Sequence, residues 1–291
     1  MKKATKKDKI LITIAVIGVM ITMILCLFHI KPDWKYMIGQ IVTASVHTSD
    51  ISLSDTNDLQ TMSYKASIEK DAENISEDQS LLLVNKNNTI PPNFTADLTD
   101  YNKDGLKMNS CMIEAFKHLS DDISAKFGES LYIMSGYRTA EEQLELYNNQ
   151  GGSTAEIPGA SEHQTGLALD VYVNNYAGYG FLKSEVGQFV NSECWKYGFI
   201  IRYPMLKSDI TGIDFEPWHI RYVGIPHAEI IYKKGITLEE YSDLYDEGKF
   251  YEYGDYIISR QTTKNLTLPK EFQSCNISAD NAGNYYITVH K

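Results

Sequence analysis

Cysteine is scarce in this 291-residue chain, with four residues and no C-x-x-C pair. Cys111, Cys194 and Cys275 lie beyond the first thirty residues, an odd number at unrelated spacings. This excludes a disulfide framework and a cysteine-ligated zinc site; a single bridge stays open, and buried free thiols are the plainer expectation. Positive charge is in deficit. The 27 Lys and Arg against 38 Asp and Glu leave a net charge of −11, which argues against nucleic acid and against broad adhesion to anionic surfaces. No internal repeat and no H-E-x-x-H helix are present. Strands and helices alternate without a βαβ rhythm, so the expected class is α+β with an antiparallel sheet. The length and the 43% hydrophobic, 22% charged composition suit one good-sized globular domain with additions.

What is present begins with "MKKATKKDK", five lysines and one aspartate, followed by an apolar run from Ile10 to Ile30. At about 1.5 Å per residue, some 20 residues are what a helix needs to cross hydrocarbon. A cleaved signal peptide is the alternative, but the run exceeds the usual ~7–15 residues and no A-x-A-like site follows. Cys26 follows bulky Leu25, which does not suit a lipidated cysteine. The expectation is an anchor over 1–31, with the amino terminus cytoplasmic and the rest outside. From His47 to Ser80, 22 of 34 residues are Ser, Thr, Asn, Asp, Glu or Gln. Such a segment buries too little apolar surface to offset its ordering entropy, so 32–80 reads as a flexible stalk.

Order resumes at Leu81. "NSCMIEAFKHLSDDISAKFG" places Met112, Ile113, Phe116, Leu119, Ile123 and Phe127 at helical spacing, ended by Gly128. "LYIMSGYRT" reads as a strand and turn, and "TAEEQLELYNNQGG" as a helix capped by Thr139. In "GLALDVYV", Leu167, Leu169, Val171 and Val173 face one way, Ala168, Asp170 and Tyr172 the other. "SEVGQFVNSECWKYG" reads as a helix, and "GIDFEPWHIRYVG" as a strand with His219, Arg221 and Val223 on one side. The domain spans 81–241. Residues 242–291 hold short aromatic-rich strands, read as a small β appendage.

Alone, Asp170 reads as a solvated strand aspartate and His163 as an incidental loop histidine. Together with His219 they are three residues of metal-ligand type in or beside strands, and Glu216 lies three residues before His219. A zinc hydrolase needs three protein ligands, an open position for water and a carboxylate to take the proton. Two imidazoles and one carboxylate leave such a site net positive. Spacing alone does not single this site out. His47, His118, His227 and His290 have no partner at ligand-like spacing, and Trp218 and Tyr222 read as core and pocket wall.

The blocks "SGYRT", "PGASEHQTGLALDV", "YGFIIRYP", "TGIDFEPWHIRYVG" and "ITLEEY", in this order over Leu81 to Tyr241, resemble the VanY-type D-alanyl-D-alanine carboxypeptidases. These belong to the zinc peptidase superfamily shared with lysostaphin and the hedgehog signalling domain. The resemblance implies that His163 and Asp170, in S-x-H-x-x-G-x-A-x-D, are the first two zinc ligands, that His219 is the third, and that Glu216 is the catalytic base. It implies that Arg138 steadies the developing oxyanion, and that Gln143, Ser153 and Ser161 lie near the substrate.

The implied function is a membrane-anchored Zn2+-dependent D,D-carboxypeptidase facing outwards. It would remove the terminal D-Ala from peptidoglycan stem peptides or lipid-linked precursors, with a part in glycopeptide resistance. L,D-carboxypeptidases that trim tetrapeptide to tripeptide share every quoted block. A non-catalytic zinc-containing wall-binding domain is the rival outside the enzymes, and Glu216 argues against it. A two-histidine, one-carboxylate iron oxygenase fits poorly, because its ligands usually sit as H-x-D.

Overall fold

The computed structural model describes residues 6–31, 33–39, 53–56, 59–65, 74–103, 105–150 and 156–291. A first helix covers Lys6–Ile30. The membrane-spanning helix expected over Ile10–Ile30 is not found: among the described residues no helix is long and apolar enough to cross a membrane. Lys6, Lys7, Asp8 and Lys9 occupy the first turn of Lys6–Ile30, and Thr13, Gly18 and Thr22 interrupt the apolar run.

The zinc-ligand candidates sit on a four-stranded sheet. In chain order, after five short strands, its members are β6 (Tyr132–Ser135), β7 (Ala168–Tyr172), β8 (Phe199–Ile201) and β9 (His219–Tyr222), arranged β6-β7-β9-β8. Every pairing is antiparallel, as the sequence implied. One face of β7 and β9 buries Leu169, Val171 and Ile220 against Phe116, Leu119 and Ile123 of the helix Ile113–Phe127 and against Val186 and Val190 of the helix Glu185–Glu193. Each such side chain, fully removed from water, contributes roughly 1.5–3 kcal/mol before entropy is counted. The first helix stops at Gly128, whose φ of 66° is the left-handed conformation that ends a helix. The second starts at Ser184, whose hydroxyl accepts from the Gly187 N–H. Cys111, Cys194 and Cys275 are all free thiols.

The flexible stalk expected over 32–80 needs correction. It supplies three strands, β1 (Ser54–Asp55), β2 (Thr61–Lys65) and β3 (Ile75–Asp78). Their partners lie near the other end of the chain: β10 (Phe250–Tyr253), β12 (Asn265–Pro269) and β13 (Ser274–Ala279). Polar composition did not prevent order because backbone groups form the ladder, and Tyr64, Leu266 and Leu268 form a shared core. With β11 (Tyr256–Gln261) and β14 (Tyr285–His290), the six-stranded sheet runs β1-β10-β11-β14-β13-β3. Nor is it merely appended. Ile258 and Tyr286 pack in one cluster with Ile200, Val223, Ile230, Ile231 and Tyr241. Across that seam His227 Nδ1 lies 2.6 Å from the Tyr241 hydroxyl, and its Nε2 lies 2.9 Å from Thr288 Oγ1.

Candidate active site

The site forms where three strands present one row of residues. In the register of the sheet Asp170 stands beside Ser135 on one neighbour and opposite His219 on the other. All three therefore project from the same side, away from the leucine face. His163 reaches this row from a short 3₁₀ turn, Glu162–Thr165, that leads into β7. Gly166 makes the return. Its φ is 70°, and a Cβ there would stand 2.9 Å from the Asn109 backbone nitrogen, so this position in H-x-x-G takes only glycine.

Glu216 arrives differently from the sequence expectation. "GIDFEPWHIRYVG" is not strand throughout, since β9 begins only at His219. The His219 N–H donates to the Glu216 carbonyl at 3.2 Å, closing a turn with Pro217 at the position where its fixed φ suits such a turn. That turn brings Glu216 Oε2 to 3.8 Å from His219 Nδ1.

Two imidazoles converge on one carboxylate. His219 Nδ1 lies 3.0 Å from Asp170 Oδ1, and His163 Nε2 lies 3.3 Å from Asp170 Oδ2. The other nitrogen of His163 is committed, its Nδ1 lying 2.8 Å from the Gly136 carbonyl; that carbonyl can only accept, so Nδ1 carries the proton and Nε2 is the free lone pair. Ligand atoms of His163, Asp170 and His219 all lie within 4.8 Å of one another. Both histidines are buried, and Asp170 is largely so. Two neutral imidazoles and one carboxylate are the nitrogen and oxygen donors of a catalytic zinc site with one position left open, so the set fits that ion.

The electrostatics agree. Burial opposes ionisation of Asp170, yet the His163 and His219 imidazoles hold its carboxyl well below the usual carboxylate range. Burial would depress His219, but the hydrogen bond to Asp170 and the nearby Glu162 carboxylate push it up to about 10, so the ring carries positive charge until a cation replaces its proton. Glu216 moves the opposite way. Burial raises its carboxyl, with Asp170, Asp214 and Glu156 adding and His219 opposing. A carboxyl raised toward neutrality is suited to carry a proton in and out of a reaction.

Arg138 is held over the row. Its Nη2 donates to Ser135 Oγ at 2.8 Å and its Nη1 to Gln143 Oε1 at 2.6 Å, while its backbone N–H donates to the His163 carbonyl. Gln143 is buried and committed at both ends, since its Nε2 donates to the Glu156 carbonyl at 2.6 Å. Gln143, expected near the substrate, here accepts from Arg138 and so anchors its guanidinium. Ser161 opens the His163 turn, with no capping bond from its side chain. Ser153 lies outside the described residues.

One group was missed. Glu162 is fully buried, and its Oε1 accepts from Arg202 Nε and Arg221 Nη1, both at 2.7 Å. Arg202 also holds Glu239 through both oxygens, and Arg221 Nη2 donates to the Ser80 and Leu82 carbonyls. Burial opposes ionisation of Glu162, and the two guanidiniums hold its carboxyl well below its ordinary value. The signal lay in the blocks themselves, because Arg202, Arg221 and Glu239 stand in "YGFIIRYP", "EPWHIRYVG" and "ITLEEY".

Comparison with known proteins gives this arrangement its place. A family model described as VanY, D-alanyl-D-alanine carboxypeptidase, matches residues 105–225. A D-alanyl-D-alanine carboxypeptidase of Enterococcus faecium is 34% identical over 235 residues, covering 72% of this chain and 75% of that protein. The Zn(II) complex of the vancomycin resistance D,D-pentapeptidase VanY from a VanB-type cassette superposes with a TM-score of 0.51 at 34% identity, covering 56% of this chain and 98% of the other. The LD-carboxypeptidase LdcB superposes equally, at a TM-score of 0.51 and 35% identity over 55% of this chain and 84% of the other. The likeness to the Enterococcus faecium enzyme runs over most of both chains, and the mixed-donor site lies within the matched residues 105–225. The chain therefore belongs to the VanY family of D-alanyl-D-alanine carboxypeptidases and is, with that family, a zinc metallocarboxypeptidase.

Proposed function

We propose that the chain removes the C-terminal D-Ala from peptidoglycan stem peptides or precursors ending in D-Ala-D-Ala. The observation that carries this reading is Glu216 at 3.8 Å from His219, beside the His163, Asp170 and His219 donors and within a family of that activity. A zinc ion held by those three residues supplies a Lewis acid that acidifies water and polarises the scissile carbonyl. Glu216 takes the proton of the attacking water and returns it to the departing amine of D-Ala. Arg138, fixed by Ser135 and Gln143, offers guanidinium N–H groups to the oxygen that gains negative charge. Removing the terminal D-Ala removes the ligand that glycopeptide antibiotics grip, which supports a part in resistance.

Substrates of this kind lie outside the cytoplasm, and we place the catalytic unit there.

Hydrolysis of synthetic peptides ending in D-Ala-D-Ala, with and without chelator, tests the reading. Chelator-sensitive release of D-Ala supports it; inertness of the zinc-loaded protein overturns it. The likeness to LdcB favours a second reading, cleavage of an L,D bond. Mass spectrometry of digested wall separates the two: tetrapeptide gained from pentapeptide supports the first, tripeptide gained from tetrapeptide the second.

A further inference from the structure

Two buried polar atoms in the site have no hydrogen-bond partner among the described residues, Glu162 Oε2 and His219 Nε2. They face each other at 3.7 Å, well under an ångström beyond the outer limit of a normal N–H···O bond. A buried donor and a buried acceptor left unmade are costly, and each is the one group that satisfies the other. We propose that Glu162 is a positioning residue for the metal ligand His219: its Oε2 accepts the Nε2–H, fixing the tautomer and turning Nδ1 towards Asp170.

The surroundings make Glu162 suited to this task. Its Oε1 is gripped by two guanidiniums, and each of these is anchored in turn, Arg202 by Glu239 and Arg221 by two backbone carbonyls. The carboxylate therefore cannot swing away from the ring. The two ligating histidines then follow one rule, since each turns its outer nitrogen to a fixed acceptor. For His163 the acceptor is the Gly136 carbonyl; for His219 it is Glu162. An outer acceptor of this kind orients a ligating imidazole and raises its basicity. The strand explains how one carboxylate serves both. His219 and Arg221 are two apart on β9, so they share a face and both reach Glu162.

The bland alternative is that Glu162 only neutralises the two arginines. Glu239 makes the control, because it pairs with Arg202 in the same network and has no contact with His219. The inference rests on the zinc site proposed above, so zinc is titrated against a competing chromophoric chelator into the stripped full-length chain. Glu162→Gln should weaken zinc binding about 10–100-fold, and Glu239→Gln should stay within about twofold of the parent. Should Glu162→Gln fail to fold, Glu162→Asp keeps the charge for the arginines, withdraws the oxygen from His219 and decides by the same comparison. A second measurement needs no metal. Long-range 15N–1H NMR of the zinc-free chain should show the His219 Nε2–H as a hydrogen-bonded, slowly exchanging proton in the parent and in Glu239→Gln. In Glu162→Gln, whose side-chain amide turns its N–H groups to the ring, that proton should lose its acceptor and exchange rapidly. Unchanged zinc affinity on substituting Glu162, an equal loss on substituting Glu239, or an equally protected His219 Nε2–H in Glu162→Gln would overturn the inference. A parent chain that takes up no zinc would instead strike the site itself, with the Nε2–H still reporting on Glu162.

Discussion

Asp170 and His219 are direct partners across two antiparallel strands, with 3.0 Å between Oδ1 and Nδ1. The ligand set therefore depends on strand register, because a slip of one residue turns a side chain to the opposite face. Asp170→Ala removes the only carboxylate among the three donors. The variant is expected to lose zinc during gel filtration while keeping the parent's circular dichroism. Retention of stoichiometric zinc would remove Asp170 from the ligand set.

Glu216 contributes chemistry rather than metal binding. Glu216→Ala should keep its zinc and lose roughly 10²–10⁴ in kcat, the usual worth of a positioned acid or base. Metal analysis beside steady-state kinetics checks both halves. A rate unchanged from the parent would take this carboxyl out of the reaction.

Arg138 and Gln143 should separate by size of effect. Arg138→Ala removes a donor aimed at developing charge, for which a loss of about 10²–10³ in kcat is expected. Gln143→Ala leaves the guanidinium in place but releases one of its two side-chain anchors. Its loss should be smaller and fall on kcat. If Gln143→Ala raised KM alone, direct contact with substrate would be the better account.

Acid should weaken the seam through His227. Burial pulls this imidazole down to about 3 in the folded chain, against an ordinary value of 6.5. Its folded pKa is depressed, so the unfolded state binds the extra proton. Stability is full above about pH 6.5 and falls as pH drops toward 3, by about 1.4 kcal/mol per pH unit within that window. Urea unfolding at stepped pH should show a shallower acid slope in His227→Gln. Parallel slopes in the two proteins would mean that another group controls the acid limb.

Truncation after Tyr241 tests whether the terminal strands are dispensable. Their loss would leave β2 and β3 unpaired and strip cover from Val223, Ile230 and Tyr241. The expected product aggregates and binds apolar dyes. A soluble fragment with the parent's melting temperature would show the zinc-site unit to be self-sufficient.

Local pattern revealed what is built locally. Met112, Phe116, Leu119 and Ile123 at helical spacing with Gly128 behind them made the helix Ile113–Phe127 legible, and strict alternation marked β7. His163, Asp170 and His219 were legible as a constellation because the family blocks fix their spacing. Long-range pairing hid the rest. β3 lies beside β13, about 200 residues away, and neither carries enough apolar alternation to be read alone. Glu162 was passed over because an acidic residue in a turn usually faces water, and its arginine partners are 40 and 59 residues distant. Pro217 forms the turn that separates Glu216 from β9, which strand alternation alone does not reveal.

The placing of β14 carries a further consequence. The strand Tyr285–His290 lies between β11 and β13 rather than at a margin, although it follows both in the chain. During synthesis it must leave the ribosome before the two halves of that sheet can be joined. Until then the early strands wait without neighbours, and a prematurely terminated product would leave them open to quality-control proteases.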